Sequence, residues 1–211
     1  MKRFDCLKVL ASHVKDQLVV VSLGGTIDEW YSLRPSSKNM YLKGMGTITA
    51  FSYGLAEALP HRQVVTLDTD GSFLLDFGII TTLANEQPNN LVVFVLDNEC
   101  HEVVGRHPTH SCGAFDIAGM AHGAGIINVA TLQTLEEVDQ MVPKALQSGE
   151  HWFIVLKVEP GSIAFPENER KRTNGHEDKY NFVRHIEELE EKVIIPREVK
   201  SIRFIEGQHN W

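Results

Sequence analysis

Two short polar segments follow apolar runs in a way that suits chemistry on phosphate. Val64-Val65-Thr66-Leu67 leads into Asp70-Gly71-Ser72, and the run Leu91 to Leu96 leads into Asp97-Asn98-Glu99. An acid beside a Gly-Ser step, with an amide oxygen one crossover later, supplies hard oxygen donors for a divalent cation and a bare backbone that can approach phosphate. The pattern predicts a magnesium–diphosphate site, and with it a phosphorylated cofactor.

The elements around these residues must bring both segments to one place. Phe73 to Gln87 has the length of one helix, so the unit reads strand, turn, helix, strand, with both turns at the carboxyl edge of neighbouring parallel strands. Ligands bind at that edge in open α/β sheets. Upstream, Phe4 to Lys15 has helical spacing, Gln17 to Leu23 is a strand ending in Gly24-Gly25-Thr26, Tyr31 to Asn39 reads as loop, and Gly46 to Leu59 is a buried helix stopped by Pro60. Downstream, Gly105 to Gly113 is a His-rich loop, Ala114 to Gly123 a helix and Gly125 to Val129 a strand. Thr134 with Glu137 forms a capping box for a helix to about Leu146, and Trp152 to Val158 is a strand. Alternation of helices and strands predicts an α/β fold: a mostly parallel sheet with helices on both faces. After Pro160 the composition changes. Pro166 to Lys179 is charged and turn-prone, Tyr180 to Lys192 is an acidic helix with Phe182, Ile186 and Leu189 on one face, and the end from Val193 alternates weakly. The expected division is a cofactor domain over residues 1–160 and a C-terminal extension over 161–211.

The chain has 211 residues, 43% of them hydrophobic, enough for one substantial core. A net charge of −8 argues against a nucleic-acid surface, which needs clustered Lys and Arg. No long apolar segment predicts a membrane span and the first residues lack a signal-peptide pattern, so the expected location is the cytoplasm. Cys6, Cys100 and Cys112 lack a Cys-x-x-Cys pair and read as reduced thiols. His101, His107, His110 and Cys112 cluster in sequence without standard zinc spacing; a loop lining the substrate pocket is preferred to a zinc site, and Arg106, His107 and His110 read either as facing an anionic substrate group or as unrelated charges of a surface loop.

Asp70-Gly71-Ser72 followed by Asp97-Asn98 resembles the signature of thiamine diphosphate-dependent decarboxylases, in the domain that holds the pyrophosphate. The stretches Gly25-Thr26-Ile27-Asp28-Glu29, Tyr41-Leu42-Lys43-Gly44-Met45-Gly46 and Gly105-Arg106-His107-Pro108-Thr109-His110-Ser111 are similar to members of that family that act on sulfopyruvate or phosphonopyruvate. The resemblance covers about residues 1–160. It implies that Asp70, the Asn98 side chain and the main-chain carbonyl of Cys100 bind Mg²⁺. Gly25, Thr26, Gly71 and Ser72 would meet the diphosphate, Gly44 would hold the aminopyrimidine through its carbonyl, and Met45 would wedge the bent cofactor from below. It also implies a glutamate that protonates the aminopyrimidine. Glu29 and Glu57 are the early acids and neither matches that position, so a separate pyrimidine-binding subunit is expected to supply it. The implied substrate is a small anionic 2-oxoacid. An acetolactate- or acyloin-type ligase and a non-catalytic relative are the alternatives. Two departures stand out: Thr69 occupies a position where relatives carry Gly, and Glu99 one where they carry Gly or Asp.

Overall fold

Six strands lie side by side and all run parallel. The computed structural model describes residues 1–171 and 174–196. In chain order the elements are α1 (Arg3–His13), β1 (Leu18–Val21), α2 (Gly25–Leu33), β2 (Asn39–Tyr41), α3 (Ile48–Ala58), β3 (Val64–Thr69), α4 (Asp70–Leu75), α5 (Ile79–Glu86), β4 (Leu91–Asp97), β5 (Cys100–His101), β6 (His107–Pro108), α6 (Ile117–Ala124), β7 (Asn128–Leu132), α7 (Leu135–Gln147), β8 (Trp152–Lys157) and α8 (Gly175–Glu190). The main sheet has the order β2-β1-β3-β4-β8-β7, and β5 with β6 forms a small antiparallel hairpin.

The central strands are apolar at successive positions because both faces are covered. Val19, Val21, Phe94 and Ile154 pack with Leu7, Leu10 and Trp30 on the side of α1, α2 and α7. Leu18, Val20, Val93 and Phe153 pack on the opposite side with Ile48, Phe73 and Ile117, joined by Phe182 and Ile186 of α8. The expected parallel sheet with helices on both faces is thus observed, and α8 belongs to the same core as the strands. Among the described residues no helix is long and apolar enough to cross a membrane.

Several element boundaries differ from the sequence expectation. The segment after Gly24 is a helix, α2, rather than a turn leading into a loop: Gly24 takes φ of +78° at the N-cap, and Ile27 and Trp30 are buried at helical spacing. The expected loop from Tyr31 to Asn39 accordingly shrinks, and an edge strand, β2, follows it. The single helix expected over Phe73 to Gln87 is two. It breaks at Asp76-Phe77-Gly78, where Phe77 turns inward between Phe73 and Phe115, at ring-centroid distances of 5.8 and 5.5 Å. The expected helix at Ala114 starts at Ile117, and the strand placed at Gly125 starts at Asn128. The acidic helix begins earlier than expected, at Gly175, because the Asn174 side chain caps it by accepting from His176 N–H at 3.2 Å. The capping box of Thr134 and Glu137 is present as read. The weak alternation beyond Val193 falls mostly on residues 197–211, outside the described residues.

One buried group makes stability depend on pH. His151, at the start of β8, donates from Nδ1 to the Leu91 carbonyl at 2.9 Å, while Nε2 is buried without a partner. Burial pushes its pKa down to about 4. An imidazole that must lose its proton to fold stabilises the protein fully above the unfolded value near 6.5, and that contribution is lost as pH falls from there toward 4. By pH 4.5 the loss is about 2.5 kcal/mol. Urea unfolding at pH 7 and 4.5 should show this pH difference shrinking by that amount in His151→Gln; an unchanged difference would contradict the assignment.

Candidate functional site

The strand order reverses between β1 and β3: the chain leaves β1 toward β2 on one side and returns to β3 on the other. Such a switch point leaves a crevice at the carboxyl ends of the two strands. Register fixes what lines it. Val21 pairs with Leu67 and Thr69 with Leu96, so the segments that follow, Gly24-Gly25-Thr26, Asp70-Gly71 and Asp97-Asn98, emerge at one edge. Gly24-Gly25-Thr26, Asp70-Gly71 and Asn98 line a cavity of about 170 Å³ that also touches Met45, Cys100 and His101.

Asp70 opens α4 instead of sitting in a free turn, and Thr69 before it is extended at φ −119°, an ordinary value for a β-branched residue. The departure at Thr69 therefore costs the backbone nothing. Asp70 is 1% exposed, and no described cation pairs with it. Its Oδ2 accepts from Thr109 Oγ1 at 2.6 Å and lies 3.1 Å from Ser111 Oγ. The single Ser111 hydroxyl proton is better placed toward Asp97 Oδ1, at 2.8 Å. Burial pushes the Asp70 carboxyl above its usual range, and the Asp97 charge adds to that, against hydrogen bonds from Thr109, Gly71 and Ser111. Oδ1 receives neither hydroxyl.

Around this carboxylate the cavity brings together a helix N-terminus, a close-packed glycine and an amide oxygen. Thr26, in the first turn of α2, is 1% exposed and its Oγ1 has no partner. A helix N-terminus with free donors favours an anion. A Cβ on Gly71 would lie 2.6 Å from His101 Cε1, so a side chain there would have to displace the His101 ring; a Cβ on Gly25 would lie 2.6 Å from Arg3 Nη2. Asn98 Oδ1 accepts from Cys100 N–H at 3.1 Å. Glu99 takes φ of +60°, a conformation that favours glycine, and its carboxylate pairs with Lys157 Nζ at 2.6 Å. An orphaned hydroxyl, a buried carboxylate without a described cation and a glycine packed against His101 fit a bound metal–diphosphate.

The cavity collects Gly25, Thr26, Met45, Asp70, Gly71, Asn98 and Cys100. Ser72 lies behind it, buried, with Oγ accepting from Gly46 N–H at 3.1 Å. The Gly44 carbonyl accepts from Thr47 Oγ1 at 2.7 Å. His107 and His110 are exposed and do not line the cavity, and Arg106 faces a neighbouring cleft of about 540 Å³. Among the described residues no three His, Cys, Asp or Glu side chains converge on a possible metal. Glu57 is exposed on α3, and Glu29 is buried against Arg3. The hydroxyls of Thr109 and Ser111 lie beside the expected histidines but 39 and 41 residues from Asp70, a separation that hides the contact in sequence.

An open parallel sheet with a buried carboxylate and an unpartnered hydroxyl bordering one cavity at its switch point suits a cofactor-binding domain. The chain belongs to the thiamine pyrophosphate enzyme family, matching the model of its C-terminal TPP-binding domain over residues 28–156. It is 32% identical to a sulfopyruvate decarboxylase of Methanosarcina acetivorans over 79% of this chain and 43% of that one. With sulfopyruvate decarboxylase subunit beta of Methanothermobacter thermautotrophicus it shares 31% identity over 79% of this chain and 86% of that subunit. With phosphonopyruvate decarboxylase of Streptomyces viridochromogenes it shares 32% over 74% of this chain and 39% of that one. The chain thus spans less than half of two of these relatives. Benzoylformate decarboxylase of Polynucleobacter necessarius has the same fold, with a TM-score of 0.62 at 19% identity over 78% of this chain and 34% of that one.

Proposed function

We propose that this chain is the β-type subunit of a thiamine diphosphate- and Mg²⁺-dependent decarboxylase acting on a 3-substituted pyruvate, sulfopyruvate or phosphonopyruvate, with the pyrimidine side of the site on a separate subunit. The observation that carries this reading is the convergence of the buried Asp70 carboxylate, the unpartnered Thr26 hydroxyl and the Asn98–Cys100 turn on one cavity. Asp70, the Asn98 amide oxygen and the Cys100 carbonyl are the groups that would hold Mg²⁺. Thr26 and the backbone at Gly25 and Gly71 would hold the diphosphate. When bound, the cofactor supplies an electron sink for loss of CO₂ from a 2-oxoacid. Thr109 and Ser111 keep Asp70 aimed, and Met45, 37% exposed at the cavity mouth, offers the apolar prop.

The partner follows from what the cavity lacks. Its only carboxylates are Asp70, assigned to the metal, and Glu102, paired with Arg3, so among the described residues none is left to protonate an aminopyrimidine. Beside the mouth, Val103 and Val104 are 78% and 66% exposed, which suits a surface covered by another subunit. The relatives named as subunit beta agree with this division.

Co-expression with a companion pyrimidine-domain subunit tests the substrate. The complex should release CO₂ and the aldehyde from sulfopyruvate or phosphonopyruvate with kcat/KM at least about a hundredfold above that for pyruvate, the discrimination available to a site that pairs a charged group. Carboligation products, or equal use of pyruvate, would overturn it.

A further inference from the structure

Lys157 touches none of the groups assigned to the cofactor, yet a continuous run of hydrogen bonds leads from it to Asp70. It ends β8 and pairs in register with Asp97 at the end of β4. Its Nζ donates to Asp97 Oδ2 at 2.8 Å and to Glu99 Oε1 at 2.6 Å, so one ammonium grips the acids on either side of Asn98. Those two residues in turn hold the segment 109–111. Asp97 Oδ1 accepts from Ser111 Oγ at 2.8 Å, and the Glu99 carbonyl accepts from the Thr109 N–H at 3.0 Å. Thr109 completes the run, donating from Oγ1 to Asp70 Oδ2 at 2.6 Å.

The direction of the run follows from counting protons. Ser111 and Thr109 carry one hydroxyl proton each. With the Ser111 proton on Asp97, Ser111 Oγ turns only lone pairs toward Thr109 Oγ1, 2.9 Å away, and Asp70 Oδ2, 3.1 Å away. The Thr109 proton is then the single hydroxyl proton on Asp70, and it sits on Oδ2, which leaves Oδ1 to face a cation. Asp70, Asp97, Thr109 and Ser111 are all buried, so water does not replace a lost link. Removing the ammonium strands the Asp97 carboxylate in the interior, and the segment that carries Thr109 loses its anchor. We infer that Lys157 is a positioning residue of the metal site, acting through Asp97, Ser111 and Thr109 to fix the oxygen that Asp70 presents to Mg²⁺. This inference rests on the cofactor assignment made above. Partners that orient a metal ligand change metal affinity about 10- to 100-fold when replaced, and Lys157, further out than Thr109, belongs at the lower end.

The ion pair also ties β8 to β4, so the test must separate positioning from bracing. The full-length chain is titrated with Mg²⁺ at fixed thiamine diphosphate by calorimetry, and the melting temperature is read without either. Lys157→Met should raise the Mg²⁺ concentration for half-saturation roughly tenfold. Lys157→Gln should do the same and serves if the methionine variant does not fold, whereas Lys157→Arg, which keeps the charge and can bridge both acids, should stay within about twofold of the parent. Thr109→Val removes the hydroxyl at constant shape and should cost at least as much as Lys157→Met. Because Lys157 acts through that hydroxyl, adding Lys157→Met to Thr109→Val should change the Mg²⁺ requirement by less than about twofold. Arg62→Met breaks the pair with Glu190 at the opposite end of β3; it should lower the melting temperature and leave the Mg²⁺ requirement within about twofold. A parental Mg²⁺ dependence in Lys157→Met and Lys157→Gln, multiplication of the two effects in the double variant, or an equal rise in Arg62→Met would overturn the positioning role while leaving the cofactor assignment intact. Failure of the parent to bind thiamine diphosphate in a Mg²⁺-dependent way would overturn the assignment itself and the role of Lys157 with it.

Discussion

Asp70→Asn should abolish Mg²⁺-dependent binding of thiamine diphosphate, weakening it at least about a hundredfold, and yet leave the protein folded. The reason lies in how the carboxylate is held. Asp70 is buried, has Asp97 as a charged neighbour and has no described cation against it; Thr109 donates to Oδ2, and Oδ1 receives neither nearby hydroxyl. Such a charge stabilises nothing until a metal arrives. An asparagine of the same shape can still accept from Thr109 while carrying no charge, so the protein without cofactor should gain about 1 kcal/mol, readable in urea unfolding. Retained cofactor affinity in this variant, or collapse of the fold, would contradict the role given to Asp70.

The chain by itself should show no decarboxylation of any 2-oxoacid above about a hundredth of the rate reached with its companion subunit, the size of a missing general acid–base group. Glu29 cannot fill that position, because Arg3 holds both of its oxygens, and Glu57 is exposed on α3, away from the cavity. Adding the companion should restore turnover in a saturable way, and replacing the companion's single pyrimidine-side glutamate should remove it again. Steady turnover by the isolated chain would place the missing acid here and refute the divided site.

What the sequence made legible was mainly short-range or periodic. The capping box of Thr134 and Glu137 is a contact between residues three apart, and the apolar runs of β3 and β4 mark strands buried on both faces. From these came the parallel sheet and the gathering of Asp70 and Asn98 at one edge. The break at Phe77 was hidden because ring packing with Phe73 and Phe115 overrode helix continuity. In the site, the charged and titratable residues of the Gly105 loop drew attention to His107 and His110, whereas the side chains that reach Asp70 are the small hydroxyls between them. The link from Arg3 to Glu102 joins residues 99 apart and depends on the crossing of three elements, which no local pattern encodes. Glu99 shows a different limit: neither its positive φ nor the Lys157 partner that holds its carboxylate is visible short of three dimensions.

The central claim is that this chain carries the metal–diphosphate half of a thiamine diphosphate site. Calorimetric titration of the full-length chain with thiamine diphosphate, with and without Mg²⁺, and with unphosphorylated thiamine as the control, tests it most directly. The prediction is one cofactor per chain, bound only when Mg²⁺ is present, with no detectable binding of thiamine. Binding that is indifferent to Mg²⁺, or equal for thiamine and its diphosphate, would contradict it.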